Sequence, residues 1–416
     1  MEESVEAMRR LCAPLREEVQ KLRAEMVETL CSLVSRPAVS PRDGGTGESK
    51  KAAWLEEHIS KLRFGLCERY DLPDTEDPSV MRSNLVVRIP GREPGRLWFV
   101  THLDVVPEGD RGLWSGDPFV PRVTEERVYG RGSNDNGQEV VASLYAAVAL
   151  KRLGLMPRRE VGLCFVADEE MGSFHGIRHL LDRNLFSPED LLVVPDGGNE
   201  RGDFIEIAEK SILWMQFTLQ GVQVHASMPH LGKNACRAAN AFAVALDEAL
   251  HAAFPEEDLL FDPPISTFEP TKRSANVPNV NTVPGREVFC FDCRVLPSVP
   301  LEAVLSVVDE VRRRIEERYG VSVRTEFLQK EQAEMPTSRE APIVRCLKDV
   351  LRVALHVDPR VGGIGGGTCA AYFRARGIPA VVWAREADNA HQPDEYAEIS
   401  HMLDEALVFA LLMAEA

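Results

Sequence analysis

The stretch VGLCFVADEEMGS, residues 161–173, constrains the fold more than any other. Its run Val161–Ala167 is almost wholly apolar and the length of a strand, which is the pattern of a strand buried on both faces. Such strands belong to parallel sheets covered by helices. The run then stops in Asp168, Glu169 and Glu170, with Gly172 close behind. In a parallel α/β sheet, ligands bind outside the carboxyl ends of the strands. Three carboxylates at such an end therefore predict a site at this edge.

The rest of the chain repeats the alternation. EAMRRLCAPLREEVQKLRAEMVETLCSLVS has apolar positions at helical spacing and stops at Pro37, and residues 49–63 read as another helix. NLVVRIPG and RLWFVTHLDVVP read as strands, VYGRGSNDNGQ as a Gly-rich loop, EVVASLYAAVALKRLG as a helix and LLVVPDGG as a further strand. From about Ile212 the order changes to strand, helix, strands around 265–296, helix, strand, which is an α+β module of its own. From about residue 330 the α/β pattern resumes through APIVRCLKDVLRVAL, GGIGGGT, CAAYFRARG, PAVVWA and a closing helix from Glu398. The expected division is a catalytic domain over 1–211 and 329–416, with 212–328 inserted into it. A chain of 416 residues also exceeds what one core usually serves.

With 48 Lys plus Arg against 65 Asp plus Glu, the formal charge is −17. That excess repels phosphate backbones and anionic lipid, so nucleic acid and membrane are not expected partners. MEESVEAMRR lacks a basic segment leading into an apolar one, and no stretch approaches the ~20 apolar residues that cross a bilayer. The expected location is the cytoplasm. The cysteines number 9, an odd count scattered from Cys12 to Cys369, which suits reduced thiols. Cys290 and Cys293 lie three apart on a strand pattern and so face opposite ways, which disfavours chelation or pairing.

Other strand ends also finish in ligand-type side chains. WFVTHLDVV supplies His102 and Asp104, LLVVPDGG supplies Asp196, and VVWAREADNAHQPDE leads to His391; Asp135 lies on the loop before a helix. Alone, an HxD or a DEE is far more often a surface pair or turn than a site. Their ordered recurrence at strand ends is what changes the reading. Histidine and carboxylate without thiolate suit zinc, cobalt or manganese, and two ions ~3.5–4 Å apart can share a bridging carboxylate. Two dications would also offset the crowded negative charge. Residues 102 and 104 share a strand face, so Asp104 can orient the His102 imidazole.

The segments THLDVVP, VYGRGSNDNG, DEEMGS, PDGG, VHASMPHLGKNA and NAHQPDEY, in this order, resemble the co-catalytic dizinc hydrolases that include succinyl-diaminopimelate desuccinylase, acetylornithine deacetylase, aminoacylase and glutamate carboxypeptidase. The resemblance runs from about residue 25 to the C-terminus. It implies a largely parallel sheet flanked by helices, an inserted ferredoxin-like lid and dimerisation domain, and two divalent ions per chain. His102 and Asp196 would hold one ion, Glu170 and His391 the other, and Asp135 would bridge them. Asp104 would orient His102, and Glu169 would be the general base. Asp168 receives no role beyond shaping the turn. His225 in GVQVHASMP matches a histidine that reaches the active site of a partner subunit, which implies a homodimer. Asn281 and Arg294 resemble lid positions that meet substrate, and Arg suits a carboxylate through its fork. Gly366, Gly367 and Thr368 precede an expected helix start, where free N–H groups favour an anion; a plain loop is the equal alternative. Where many relatives read DMKG, this chain reads DNGQ, with Asn136, Gly137 and Gln138.

The leading expectation is a metal-dependent hydrolase that removes an acyl group from an amino acid, in the desuccinylase and deacetylase manner. A dipeptidase or carboxypeptidase with the same chemistry is the alternative. A non-catalytic relative would be expected to lack Glu169, and no G-x-S-x-G supports a nucleophilic hydrolase.

Overall fold

A computed structural model describes residues 2–416, with side chains from residue 5 onward. The chain forms two compact units. One comprises the chain up to Ile207 with Thr337–Gly362 and Thr368–Ala416; the other comprises Ala208–Pro336 with Gly363–Gly367.

The first unit is built on an eight-stranded sheet in the order Leu66–Pro73, Met81–Ile89, Glu160–Val166, Arg96–His102, Leu191–Gly198, Ala380–Ala384, Phe204–Glu209, Arg360–Ile364. Glu160–Val166, Arg96–His102, Leu191–Gly198 and Ala380–Ala384 run parallel, so their carboxyl ends share one edge. Antiparallel pairing flanks them: Met81–Ile89 pairs with both of its neighbours this way, and Val382 with Glu206. The sheet is therefore mixed, and parallel where the apolar runs demanded it. Gly162 interrupts one such run because it lies opposite Trp98, whose ring would stand 1.9 Å from an added Cβ.

Helices Gln138–Arg152 and Ile399–Glu415 are buried almost all round, as helices apolar on every face must be. Phe409 of the second reaches Phe99 and Trp383 of the sheet, at ring separations of 4.9 and 5.8 Å. The amphipathic opening stretch is two helices, Glu2–Lys21 and Arg23–Val34. Sequence reading missed the strand Leu66–Pro73, whose LCERYDLP shows no alternation of buried and exposed positions.

The second unit is an antiparallel four-stranded sheet in the order Thr267–Arg273, Arg286–Val295, Ser211–Gln220, Ser322–Glu331. Helices Ala235–Ala253 and Leu301–Tyr319 intervene along the chain, which gives the split βαβ order expected of a ferredoxin-like module. Phe217, Phe242, Phe289 and Phe291 form its aromatic core. Cys293 belongs to that core while the Cys290 thiol lies toward Gln216, and both cysteines are unpaired. The glycine-rich GGIGGGT is partly strand, and the helix after it, Ala370–Arg374, has five residues. No helix among the described residues is long and apolar enough to cross a membrane.

Candidate metal centre

The parallel strands deliver their terminal side chains to one place in the first unit. His102 closes the strand Arg96–His102, Asp196 lies near the end of Leu191–Gly198, and Glu169 and Glu170 follow Glu160–Val166. Asp135 lies in the tight Ser133–Gly137 turn that leads into helix Gln138–Arg152.

The two oxygens of Asp135 face different histidines. Oδ1 is 2.8 Å from His102 Nε2, and Oδ2 is 3.1 Å from His391 Nε2. His102 Nε2 also lies 3.3 Å from Asp196 Oδ1, and His391 Nε2 lies 3.1 Å from Glu170 Oε1. Two half-sites thus share one carboxylate, the arrangement that a bridged pair of ions requires. Ligand atoms of His102, Asp135 and Glu170 lie within 4.8 Å of one another, as do those of His102, Glu169 and Asp196.

The electrostatics describe a crowd of acids held together by imidazole. Burial opposes a charge on His102, but Asp196, Asp104 and Asp135 outweigh it and raise its pKa well above the usual value. Hydrogen bonds to Asp135 and Glu170 raise His391 to about 10. Burial likewise opposes ionisation of Asp135, yet its bonds to both histidines hold its carboxyl below the ordinary range. Burial, reinforced by the charge of Asp135, raises Glu170 to about 7. Glu169 is pushed well up by burial and then by Asp196. Ligands must be deprotonated to bind metal, so dications displacing these protons would settle the same charges. The donor set of nitrogen and carboxylate oxygen, with no thiolate, fits such ions.

Behind this shell stand residues that fix it. Asp104 is fully buried beside His102 Nδ1, at 3.5 Å, and its two oxygens accept the backbone N–H groups of Glu169 and Glu170 at 3.0 and 3.1 Å. Its carboxylate therefore holds the acidic turn and lends charge to the imidazole, whose Nδ1 is positioned by the Asp104 backbone carbonyl at 3.0 Å. Asp168 has the role that its sequence did not disclose. It adopts a left-handed backbone at φ 65°, and its carboxylate takes Arg82 at 3.1 Å and His175 Nδ1 at 2.7 Å. Arg82 also binds Glu48 and Asp74. One of the three acids thus anchors the turn while its neighbours face the site.

Further residues escaped the sequence reading. Glu395 is fully buried, pairs with Arg131 at 2.6 Å, and accepts the N–H groups of Gly132, Asn134 and Asp135 on one oxygen, which shapes the turn carrying Asp135. Asn136 joins two strand ends, accepting from His102 N at 3.2 Å and donating to Pro195 O at 2.7 Å. Lys51 is buried with its Nζ on Leu103 O at 2.8 Å, and burial lowers its pKa to about 8. Glu395 adjoins His391 in NAHQPDEY and could have been suspected; Arg82, Glu48 and Lys51 carry no local signal.

The remaining expected residues, apart from Thr368, belong to the second unit. His225 is exposed, and its Nδ1 accepts from Ser227 N at 3.1 Å, which leaves Nε2 as the N–H donor. Asn281 is brought beside it, since Ala226 N donates to Asn281 O at 2.8 Å. Arg294 lies elsewhere in that unit, forked on Asp292 at 2.7 and 3.1 Å and bound to Gly365 O at 2.8 Å. Gly366 and Gly367 have neither a left-handed backbone nor a neighbour closer than 3.4 Å to an added Cβ. Thr368 Oγ1 accepts from Ala370 N.

Residues 98–415 match the model of Peptidase family M20/M25/M40. The chain belongs to this family. Among similar proteins, an uncharacterised metallohydrolase of Methanococcus maripaludis is 35% identical over 405 residues, covering 92% of this chain and 97% of its own. A succinyl-diaminopimelate desuccinylase of Alkalilimnicola ehrlichii is 28% identical over 359 residues, covering 85% and 88%. An M20 metallo-carboxypeptidase of Sulfolobus solfataricus has the same fold, at TM-score 0.74 and 18% identity over 94% of this chain and 98% of that one. This M20 chain is accordingly a metal-dependent hydrolase of peptide or amide bonds.

Proposed function

We infer that the chain hydrolyses an amide bond next to a free carboxylate, with N-acyl amino acids as the substrate class. The observation that carries the reading is the shared Asp135, one oxygen toward each histidine. His102, Asp196 and Asp135 Oδ1 would hold one divalent ion, and His391, Glu170 and Asp135 Oδ2 the other. Zinc suits this set best, with cobalt or manganese as substitutes. When bound, such ions act as Lewis acids toward the scissile carbonyl and acidify water.

The chain's own residues supply the proton path. Glu169, raised by burial, takes a proton from the attacking water and returns it to the leaving amine. Asp104 keeps Glu169 and Glu170 in register through their N–H groups. His225 of the partner subunit would offer its Nε2–H to the developing oxyanion. This makes a homodimer part of the proposal.

For the substrate carboxylate we favour Arg294 and the backbone at Gly366, Gly367 and Thr368, with Asn281, the neighbour of His225, entering from the partner subunit alongside it. Arg294 uses only part of its donor fork on Asp292 and Gly365, which leaves N–H groups over. The glycines support the reading because the fold does not require them: a side chain would fit at 365–367. Backbone approached closely by a ligand explains glycine there. The five-residue helix that follows adds little dipole to this argument.

The test is a panel of N-succinyl-diaminopimelate, N-acetyl-ornithine, other N-acyl amino acids and dipeptides, assayed with metal-loaded protein. Faster release from acyl amino acids supports the reading. Faster cleavage of dipeptides would transfer the assignment to a peptidase, and silence across the panel would remove it.

A further inference from the structure

A second group of buried oxygens lies apart from the histidine cluster, between helices Gln138–Arg152 and Ile399–Glu415. Gln138, Glu139 and Glu405 are each fully buried there. The Gln138 Nε2 donates to Glu139 Oε1 and to Arg385 O, both at 3.1 Å. Glu405 Oε1 accepts Arg385 N at 2.8 Å.

Three oxygens remain: Gln138 Oε1, Glu139 Oε2 and Glu405 Oε2. No donor among the described residues reaches any of them. Buried acceptors without partners are costly, and two buried carboxylates without a counter-charge more so. The two arginines bound to the adjoining Asp404 are committed elsewhere. Arg385 binds Asp404 and Glu200 O, and Arg16 binds Asp404 and Ala354 O. A proton shared directly by the two glutamates would need them in hydrogen-bond contact, and their Oε2 atoms make none.

We propose that Gln138, Glu139 and Glu405 form a second cation site, distinct from the His102–Asp135–His391 cluster, for a hard cation bound through oxygen. Two carboxylates and an amide oxygen, without nitrogen or thiolate, are the donors that such ions take. Glu139 lies four residues beyond Asp135. The bound ion would therefore fix the junction from which Asp135 projects.

The test begins with thermal unfolding of zinc-loaded wild type in tetramethylammonium buffer. NaCl, KCl, MgCl2 and CaCl2 are titrated separately, with choline chloride balancing ionic strength. One cation should raise Tm saturably by several degrees. The response should vanish in Glu139→Gln and Glu405→Gln and persist in His391→Ala, where one half-site of the other cluster is removed. A flat response of wild type to all four salts, as a buried water or proton alone would give, overturns the proposal. So does a response that survives both glutamine variants or disappears in His391→Ala. Should a glutamine variant not fold, the wild-type and His391→Ala titrations still decide.

Discussion

Asp104→Asn isolates the contribution of residues behind the metal centre, because it changes charge and hydrogen bonding while preserving shape. The native carboxylate accepts the N–H groups of Glu169 and Glu170 on separate oxygens, at 3.0 and 3.1 Å, and faces His102 Nδ1 at 3.5 Å. An amide has one acceptor oxygen, so one backbone N–H would meet an NH2 group instead. Losing a hydrogen bond to a charged group costs about 1.5–3 kcal/mol, and the stranded donors add about 1 kcal/mol or more. About 3 kcal/mol at the turn that positions Glu169 corresponds to about a 10²-fold fall in kcat/KM. Metal affinity should weaken by about 10-fold as the charge beside His102 Nδ1 is removed, while the hydrogen bond from Nδ1 to the Asp104 backbone carbonyl at 3.0 Å stays. The assay is kcat/KM under saturating zinc, alongside a chelator-buffered zinc titration. Asp110→Asn is the control: Asp110 makes a similar bond to Gly112 N at 2.8 Å, but on the surface. Wild-type kcat/KM and zinc affinity in Asp104→Asn would refute the reasoning.

Glu169→Gln should lower kcat by about 10²–10⁴-fold with metal content unchanged, and undiminished turnover would remove Glu169 from the chemistry. Arg82→Met strands Glu48, Asp74 and Asp168 in the interior and should cost about 3–5 kcal/mol in urea unfolding. Arg82→Lys should rescue little, since an ammonium cannot replace the fork; full rescue would show that only charge matters. His401 is buried, and burial with the charge of Arg385 lowers its pKa to about 4. The unfolded chain therefore takes up a proton that the folded chain refuses, so stability falls as pH drops from about 6.5 toward 4. The loss should reach about 2 kcal/mol at pH 5. Comparing wild type with His401→Leu by urea unfolding at pH 7 and pH 5 should show that increment missing from the variant; equal slopes would contradict the assignment.

The parallel core was legible because strands buried on both faces must be apolar throughout, as Val161–Ala167 is. Residues at strand ends were legible for the same reason, since a histidine or carboxylate there interrupts an apolar run. His102, Asp196 and Glu170 stand out in this way, and the structure gathers them around Asp135. What stayed hidden depends on contacts between segments far apart in the chain. Asp168 looks like its neighbours until Arg82 and His175 turn it inward. Lys51, inside the stretch read as a helix, and Glu48, just before it, show no sign of burial in the sequence, yet Lys51 is buried on Leu103 O and Glu48 on Arg82. Leu66–Pro73 joins the sheet at its edge, where none of its residues is fully buried and no alternation is imposed. The glycine-rich GGIGGGT reads as a loop before the helix CAAYFRARG; its first residues are instead strand, and the helix is present only over Ala370–Arg374.

The central claim is that Asp135 bridges two divalent ions, and metal content by elemental analysis tests it most directly. Wild type purified without added metal and then equilibrated with zinc should hold about two ions per chain. Asp135→Ala should hold none tightly, because both half-sites lose the ligand they share, while His391→Ala should keep one. One ion per chain in wild type, or two in Asp135→Ala, would contradict the bridged centre.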